Sequence, residues 1–343
     1  MLNGCTLHSL HLFHSASVVL LFTVRMLMLL LLLLLLLLGG AFYFLHVVKS
    51  PRCESSAKLH GKTVIITGAN TGIGKTTAMD LARRGARVIL ACRDSQRAER
   101  AVQEIVQETK NKQVIFMQLN LASLKSVRCF ADNFLRSESR LDLLINNAGL
   151  LNSGKTEDGF GMIFGVNHLG HFLLTLLLLD RLKASGPSRV VNVSSKAFEA
   201  GEVDLSFLRT HRDLALGSSD FQLLLTYSHS KLCNNLFTYE LAKRLQGSDV
   251  TCYSVHPGYV KTEIGRNFSS RWKFLFSFTE IFTRDALSGC QTTLHCALEQ
   301  DIEHLSGHYF SDCAPMLNIA SKARDDAVAK KLWELSETFC GLS

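Results

Sequence analysis

Six short β-branched runs, each followed by a helical pattern or a small-residue turn, constrain this chain most. They are Lys62–Thr67, Ala86–Cys92, Gln113–Leu119, Leu141–Asn146, Arg189–Ser194 and Val250–Val255, with a shorter seventh at His308–Phe310. Continuous apolar runs of this kind suit strands buried on both faces. Their alternation with helices predicts an α/β fold, a doubly wound parallel sheet of Rossmann type. No internal repeat or linker splits it, so one large domain over 61–321 is expected, followed by a C-terminal helix within 322–343.

The first strand leads into Gly68-Ala69-Asn70-Thr71-Gly72-Ile73-Gly74, and a helix pattern follows through Ala78, Leu81 and Ala82. Arg83-Arg84-Gly85 closes that helix with cations and a glycine. Strand, glycine turn and helix N-terminus together form a phosphate cradle. Glycines admit the backbone to a pyrophosphate, and the free N–H groups of the helix start face its charge. The spacing is Gly-x-x-x-Gly-x-Gly, which differs from the Gly-x-Gly-x-x-Gly fingerprint of dinucleotide folds.

The second strand ends at Cys92-Arg93-Asp94. An acid at such a tip would hold a ribose 2′-hydroxyl, whereas Arg93 suits a 2′-phosphate, which favours NADP(H) over NAD(H). Asp94 has a second use as an N-cap of the helix from Ser95 onward.

Tyr227 and Lys231 lie at i, i+4 and share one helix face. A tyrosine titrates near pH ~10, and a cation beside it favours the phenolate, so Lys231 is expected to lower the Tyr227 pKa into a useful range. The pair is common by itself. Its weight comes from company: Asn146-Asn147-Ala148-Gly149, Asn167 in Val166-Asn167-His168, Ser194-Ser195 and Pro257-Gly258 all follow the glycine turn in order.

With these motifs, Gly61 to Phe310 resembles the short-chain dehydrogenase/reductase family. Within it, Gly68–Lys75, Ala91–Asp94 and Val166–Phe172 look most like the membrane-anchored retinol dehydrogenase group, and details near Val114–Met117 and Ala323–Glu334 look closest to the branch of family member 13. The resemblance implies an oxidoreductase that interconverts a hydrophobic alcohol and its carbonyl, retinol/retinal-like, with NADPH favouring reduction. A steroid or fatty-aldehyde substrate, or a non-catalytic membrane-tethered scaffold, stands as the alternative.

The resemblance also implies roles. Tyr227 is the general acid/base, Lys231 its partner and a ligand of the nicotinamide ribose, Ser195 the donor to the substrate oxygen, and Asn167 the holder of a water leading to the lysine. Gly68, Asn70, Gly72, Ile73, Gly74, Arg93, Asn120, Asn147, Ala148, Gly149, Pro257, Gly258 and Thr262 would contact the cofactor. Two departures stand out. Asn120 replaces the family's aspartate near adenine, and the Ser195–Tyr227 link, through Glu202, Asp204, Arg209, His211, Arg212 and Asp213, is longer than usual.

Residues 26–48 are apolar apart from His46, with unbroken leucine from Leu29 to Leu38. This is long enough to span a bilayer, and it exceeds a signal-peptide core, so an uncleaved anchor is expected between an N-terminal extension (1–25) and a hinge (49–60). Arg25 precedes the span, whereas Lys49, Arg52, Lys58 and Lys62 follow it. The positive-inside rule then puts the catalytic domain on the cytosolic side, with the endoplasmic reticulum as the expected membrane.

The net charge is +7, of which residues 1–61 hold +3, so the domain is too weakly basic to argue for nucleic acid. Ten cysteines without a Cys-x-x-Cys pair read as reduced; Cys92, Cys129, Cys233, Cys252 and Cys296 are expected in the core, and no metal site emerges. After Pro257-Gly258, the stretch Phe268, Trp272, Phe274, Phe276, Phe278, Ile281 and Phe282 carries Arg266, Arg271 and Lys273 among its aromatics. It suits either ordinary packing or a lid for a lipophilic substrate drawn from a membrane. The sequence assigns no oligomeric state, and a homodimer is compatible with it.

Overall fold

The structure is a computed structural model and describes residues 5–44, 50–203, 219–260 and 283–342. Thr262, the aromatic stretch 268–282 and the loop residues Asp204, Arg209, His211, Arg212 and Asp213 lie outside the described residues. The chain divides into two compact units, Met1–Ser50 and Pro51–Ser343.

The first unit is one helix, α1 (Cys5–Tyr43). Its apolar stretch long enough to cross a membrane is Leu20–Ala41, 22 residues. It therefore begins before Met26, and the expected extension is continuous with the span because nothing between Cys5 and Met26 breaks a helix: the stretch holds no proline or glycine. Leu29 through Leu38 are all exposed, as a lipid-facing helix requires.

The second unit carries an eight-stranded sheet of order β3-β2-β1-β4-β5-β6-β7-β8. The strands are β1 (Thr63–Thr67), β2 (Arg87–Cys92), β3 (Val114–Gln118), β4 (Leu143–Asn146), β5 (Ser188–Val193), β6 (Val250–His256), β7 (Tyr309–Ser311) and β8 (Ala314–Pro315). All pairs are parallel except β7 with β8, an antiparallel edge hairpin that the two-residue run Ala314–Pro315 is too short to announce in sequence. The order reverses between β1 and β4, which opens a crevice beyond their C-terminal ends.

Both faces of the sheet are buried, and successive strand residues feed opposite cores. Ile65, Ile89 and Ala91 join one, beneath α4 (Leu124–Ser137), α5 (Gly170–Ser185), α6 (Asp220–Arg244) and α8 (Asp326–Phe339). Val64, Ile66, Val88 and Leu90 join the other, beneath α2 (Gly72–Arg83), α3 (Ser95–Thr109) and α7 (Gln291–Leu298). This two-sided burial explains why the strands read as apolar runs without alternation. Trp333 and Leu332 of α8 belong to the first core, so the C-terminal helix is part of the domain. The stretch Met162–Ser185 is also long and apolar enough to cross a membrane, but it is mostly buried under the sheet.

The expected core cysteines Cys92, Cys233, Cys252 and Cys296 are buried, and the nine cysteines from Cys53 to Cys340 are free. Cys129 is exposed, contrary to expectation: α4 buries Val127, Phe130, Ala131 and Phe134, and Cys129 falls on the opposite side of that stripe.

Candidate active site

Helix α2 begins at Gly72, and no side chain caps it at Thr71. Gly68 and Gly72 hold φ of +65° and +53°, the left-handed region that side chains rarely adopt. At Gly74 the constraint is contact: a Cβ there would sit 2.5 Å from Asn147 Nδ2 and 2.5 Å from the Gly68 carbonyl oxygen. The turn is thus strapped from above by Asn147, whose side chain donates to the Thr67 carbonyl at 2.8 Å. An uncapped helix start, glycines kept bare and a strap from β4 form a cradle that fits a dinucleotide pyrophosphate. Asn70 and Ile73, half-buried in this turn, complete its rim.

Arg93 stands exposed after β2, and its carbonyl accepts from Gln118 Nε2 at 2.8 Å. Asp94 caps α3, accepting from the Arg97 N–H at 3.0 Å, which gives the acid a structural use and separates it from Arg93. Asn120 folds its own loop: its Oδ1 accepts from the Ala122 N–H at 3.1 Å and its N–H donates to Ser126 Oγ at 3.0 Å.

Beyond β4, Asn147, Ala148 and Gly149 run along the crevice, and Gly149 brings this backbone to Lys231 and Asn167. A Cβ on Gly149 would lie 3.5 Å from Lys231 Nζ and 3.8 Å from Asn167 Oδ1. After β6, Gly258 holds φ +87°, and a Cβ there would meet Arg284 Nη1 at 2.6 Å, so the turn after Pro257 is fixed against that guanidinium.

Tyr227 and Lys231 project from one face of α6. The Lys231 ammonium lies 5.3 Å from the Tyr227 ring centre and donates to the Val193 carbonyl, at the end of β5, at 2.9 Å. Ser195 stands beside the Tyr227 phenol as a neighbour that favours its charged form, and Ser195 Oγ accepts from the Ala197 N–H at 3.2 Å. Burial pushes the Tyr227 phenol up to about 12, with Ser195 pulling the other way. The expected lowering by Lys231 is therefore not what dominates. Lysine itself is desolvated, its pKa brought down to about 8.

Asn167 is fully buried in a π-helical turn, Gly165–Leu169, a kind of helix irregularity that recurs at functional sites. Its Oδ1 accepts from the Leu150 N–H at 2.9 Å, and its Nδ2 donates to the Leu150 carbonyl and to Ser230 Oγ, both at 3.1 Å. Both amide protons are spent on the protein, so its first task is to clamp the segment after β4 to α6.

Three polar residues have a part that the sequence reading did not assign. Ser194 Oγ donates to the Lys231 carbonyl at 3.0 Å. His256 Nδ1 accepts from the Lys196 N–H at 3.3 Å and steadies the Ser195 turn. His171, buried in α5, meets Thr67. A histidine in the apolar run Leu169–Leu179 was the available signal. Around Tyr227, Leu151, Ile163 and Leu223 form a small apolar cluster with Leu150 and Leu224 at its edge.

A family model described as short chain dehydrogenase matches residues 62–206. Retinol dehydrogenase 12 of Mus musculus is 51% identical over 292 residues, which cover 84% of this chain and 90% of that protein. Dehydrogenase/reductase SDR family member 13 of Bos taurus is 48% identical over 301 residues, 87% of this chain and 78% of the relative. Among solved structures, an uncharacterised protein from Mycobacterium paratuberculosis aligns with a TM-score of 0.66 at 37% identity, covering 83% of this chain and 95% of that one. The chain belongs to the short-chain dehydrogenase/reductase family, oxidoreductases that use nicotinamide cofactors.

Proposed function

We propose that this family member is an NADP(H)-dependent oxidoreductase that reduces a hydrophobic carbonyl, retinal-like in class, at a membrane surface. The observation that carries the reading is the buried Tyr227 phenol, with Ser195 beside it and the apolar cluster of Leu151, Ile163 and Leu223 packed against it. A tyrosine phenol, a serine hydroxyl and an apolar wall lie together. A carbonyl oxygen placed there would receive both donors as negative charge develops on it.

Bound at the crevice, the nicotinamide supplies the hydride. The residues of the chain supply geometry and the proton. Tyr227 holds that proton at neutral pH, since burial keeps the phenol protonated, and this is the state required for donation to a nascent alkoxide. Ser195 orients the substrate oxygen. Lys231, with its pKa near 8, stands beside the Tyr227 ring and would return a proton toward the phenol. Gly68, Gly72 and Gly74 with Asn147 would cradle the pyrophosphate, Asn70, Ile73 and Asn120 would line the adenosine side, and Ala148, Gly149, Pro257, Gly258 and Thr262 the nicotinamide side. Arg93 would pair with a 2′-phosphate, in keeping with its exposed guanidinium at the tip of β2.

The names of the relatives support a retinoid substrate, and the span Leu20–Ala41 supports anchoring in a membrane. The basic residues after the span support a cytosolic catalytic unit at the endoplasmic reticulum. The test follows NADPH absorbance with the purified full chain in microsomes against retinal, a steroid ketone and a fatty aldehyde, with Tyr227→Phe as control. Retinal should turn over and the variant should not; equal rates for the two would remove the mechanism.

A further inference from the structure

Thr67 ends β1, and its hydroxyl is the centre of a buried network. Its oxygen accepts from the Asn147 N–H at 2.9 Å and from the Ala148 N–H at 2.9 Å. A hydroxyl has two acceptor sites and a single proton. With both acceptor sites taken, the proton points to the remaining neighbour, Nε2 of His171, at 2.8 Å. Nε2 is therefore the acceptor. The hydrogen of the ring must sit on Nδ1, and Nδ1 donates to the Asn167 backbone carbonyl at 3.2 Å. Burial, helped by the nearby Lys231 ammonium, keeps this imidazole neutral, its pKa down to about 4.

We propose that His171, as the Nδ1–H tautomer, is a positioning residue that locks the glycine turn after β1 to the Asn167–Lys231 site. The inference rests on the reading that these two elements hold a dinucleotide and carry out carbonyl chemistry. His171 acts through others. On one side, Thr67 fixes Asn147 and Ala148, and Asn147 straps the Thr67 carbonyl. On the other, Asn167 clamps Leu150 and Ser230. One ring thus joins the end of β1, at Thr67, to the helical turn that carries Asn167. An apolar side chain in its place would strand a buried hydroxyl proton and leave a buried carbonyl without this donor. The turn and the catalytic helix would then lose their common reference, and displacements of about 1 Å at reacting groups can cost about 100-fold in rate.

Two measurements test this. The first needs neither cofactor nor substrate: the full chain, labelled with ¹⁵N-histidine in detergent micelles, with the His171 signals assigned by their loss in His171→Gln. A neutral ring protonated on Nδ1 at pH 7 is expected. An Nε2–H tautomer or an imidazolium would overturn the proposal. The second compares His171→Leu with His171→Gln, since glutamine retains one donor and one acceptor. The leucine variant should lose about 10- to 100-fold in kcat and bind NADPH more weakly by fluorescence, and glutamine should recover most of both. Wild-type kcat and affinity in the leucine variant, or no recovery with glutamine, would overturn it. Absence of NADPH binding by the wild-type chain would instead count against the proposed function, while the tautomer result would still stand or fall alone.

Discussion

Lys231 donates a hydrogen bond to the carbonyl of Val193 at 2.9 Å, tying the middle of α6 to the last residue of β5. This bond sets the ammonium between the strand end and the tyrosine ring, in a position that is almost fully buried. Burial makes the charge costly, and below pH 8 the folded state carries it all the same. Two consequences separate. Lys231→Met removes the proposed proton source beside Tyr227 and should lower kcat by at least about 100-fold. It also removes a desolvated charge while leaving the Val193 carbonyl unpaired, a loss of about 1–3 kcal/mol that offsets the gain. Thermal melting at pH 7 should therefore shift little. A variant with low activity because it melts far below wild type would contradict this account.

Ser195 and Tyr227 should behave as a unit. Ser195→Ala removes one donor from the substrate oxygen, a loss of about 100- to 1,000-fold in kcat by analogy with other oxyanion donors. It also removes the neighbour that pulls the Tyr227 pKa down, so the phenol should titrate higher still. The double variant Ser195→Ala/Tyr227→Phe should be scarcely slower than Tyr227→Phe alone, because the serine has little to act with once the proton donor is gone. Single-turnover rates at saturating NADPH check this, and additive losses would count against a shared oxygen.

Gly74→Ala tests the cradle. The new methyl would lie 2.5 Å from both Asn147 Nδ2 and the Gly68 carbonyl oxygen. The Gly68 contact is backbone, so the strap or the turn must move. Dinucleotide affinity should fall by at least about 10-fold, with a stability loss of about 1–3 kcal/mol as expected for overpacking. Titration by NADPH fluorescence and a melting curve read the two effects separately. Unchanged affinity would show that the turn is not where the pyrophosphate binds.

Arg93→Ala addresses cofactor choice. A charge-assisted bond to a 2′-phosphate is worth about 1.5–3 kcal/mol, so NADPH should bind roughly 10- to 100-fold more weakly while NADH stays about the same. Asp94 should not compensate, since its carboxylate is engaged as the cap of α3. Equal loss for both cofactors would place Arg93 in the fold and remove it from the choice.

The strands were legible because both faces of the sheet are covered, which leaves an unmistakable apolar run at each of Val64–Ile66, Val88–Leu90 and Leu143–Ile145. The glycine turn and the Tyr227/Lys231 spacing were legible because backbone conformation and helix periodicity constrain residue type locally. What stayed hidden depends on burial and on distant partners. The pKa of Tyr227 moves up because desolvation outweighs every neighbour, a balance that spacing alone does not contain. His171 reads in sequence as an odd histidine in an apolar helix; its meaning appears only when β1 brings Thr67 against it, 104 positions away. Cys129 looked like core because its neighbours are core, and the helix turned it outward.

The buried histidines set an acid limit. Burial holds His168 at about 3 and both His171 and His256 at about 4, against about 6.5 in an unfolded chain. Between these values the unfolded state binds protons that the folded state refuses, so stability rises with pH from about 4 to 6.5 and is fully present above that range. As pH falls through this window, these three groups should cost up to about 4 kcal/mol per pH unit, three protons at about 1.4 each. His168→Asn should reduce the slope by close to one proton relative to wild type. Melting curves of the full chain in detergent between pH 4.5 and 7.5 give both slopes. Identical slopes would mean that His168 takes up its proton in the folded state, against its burial beside Phe164 and Phe172.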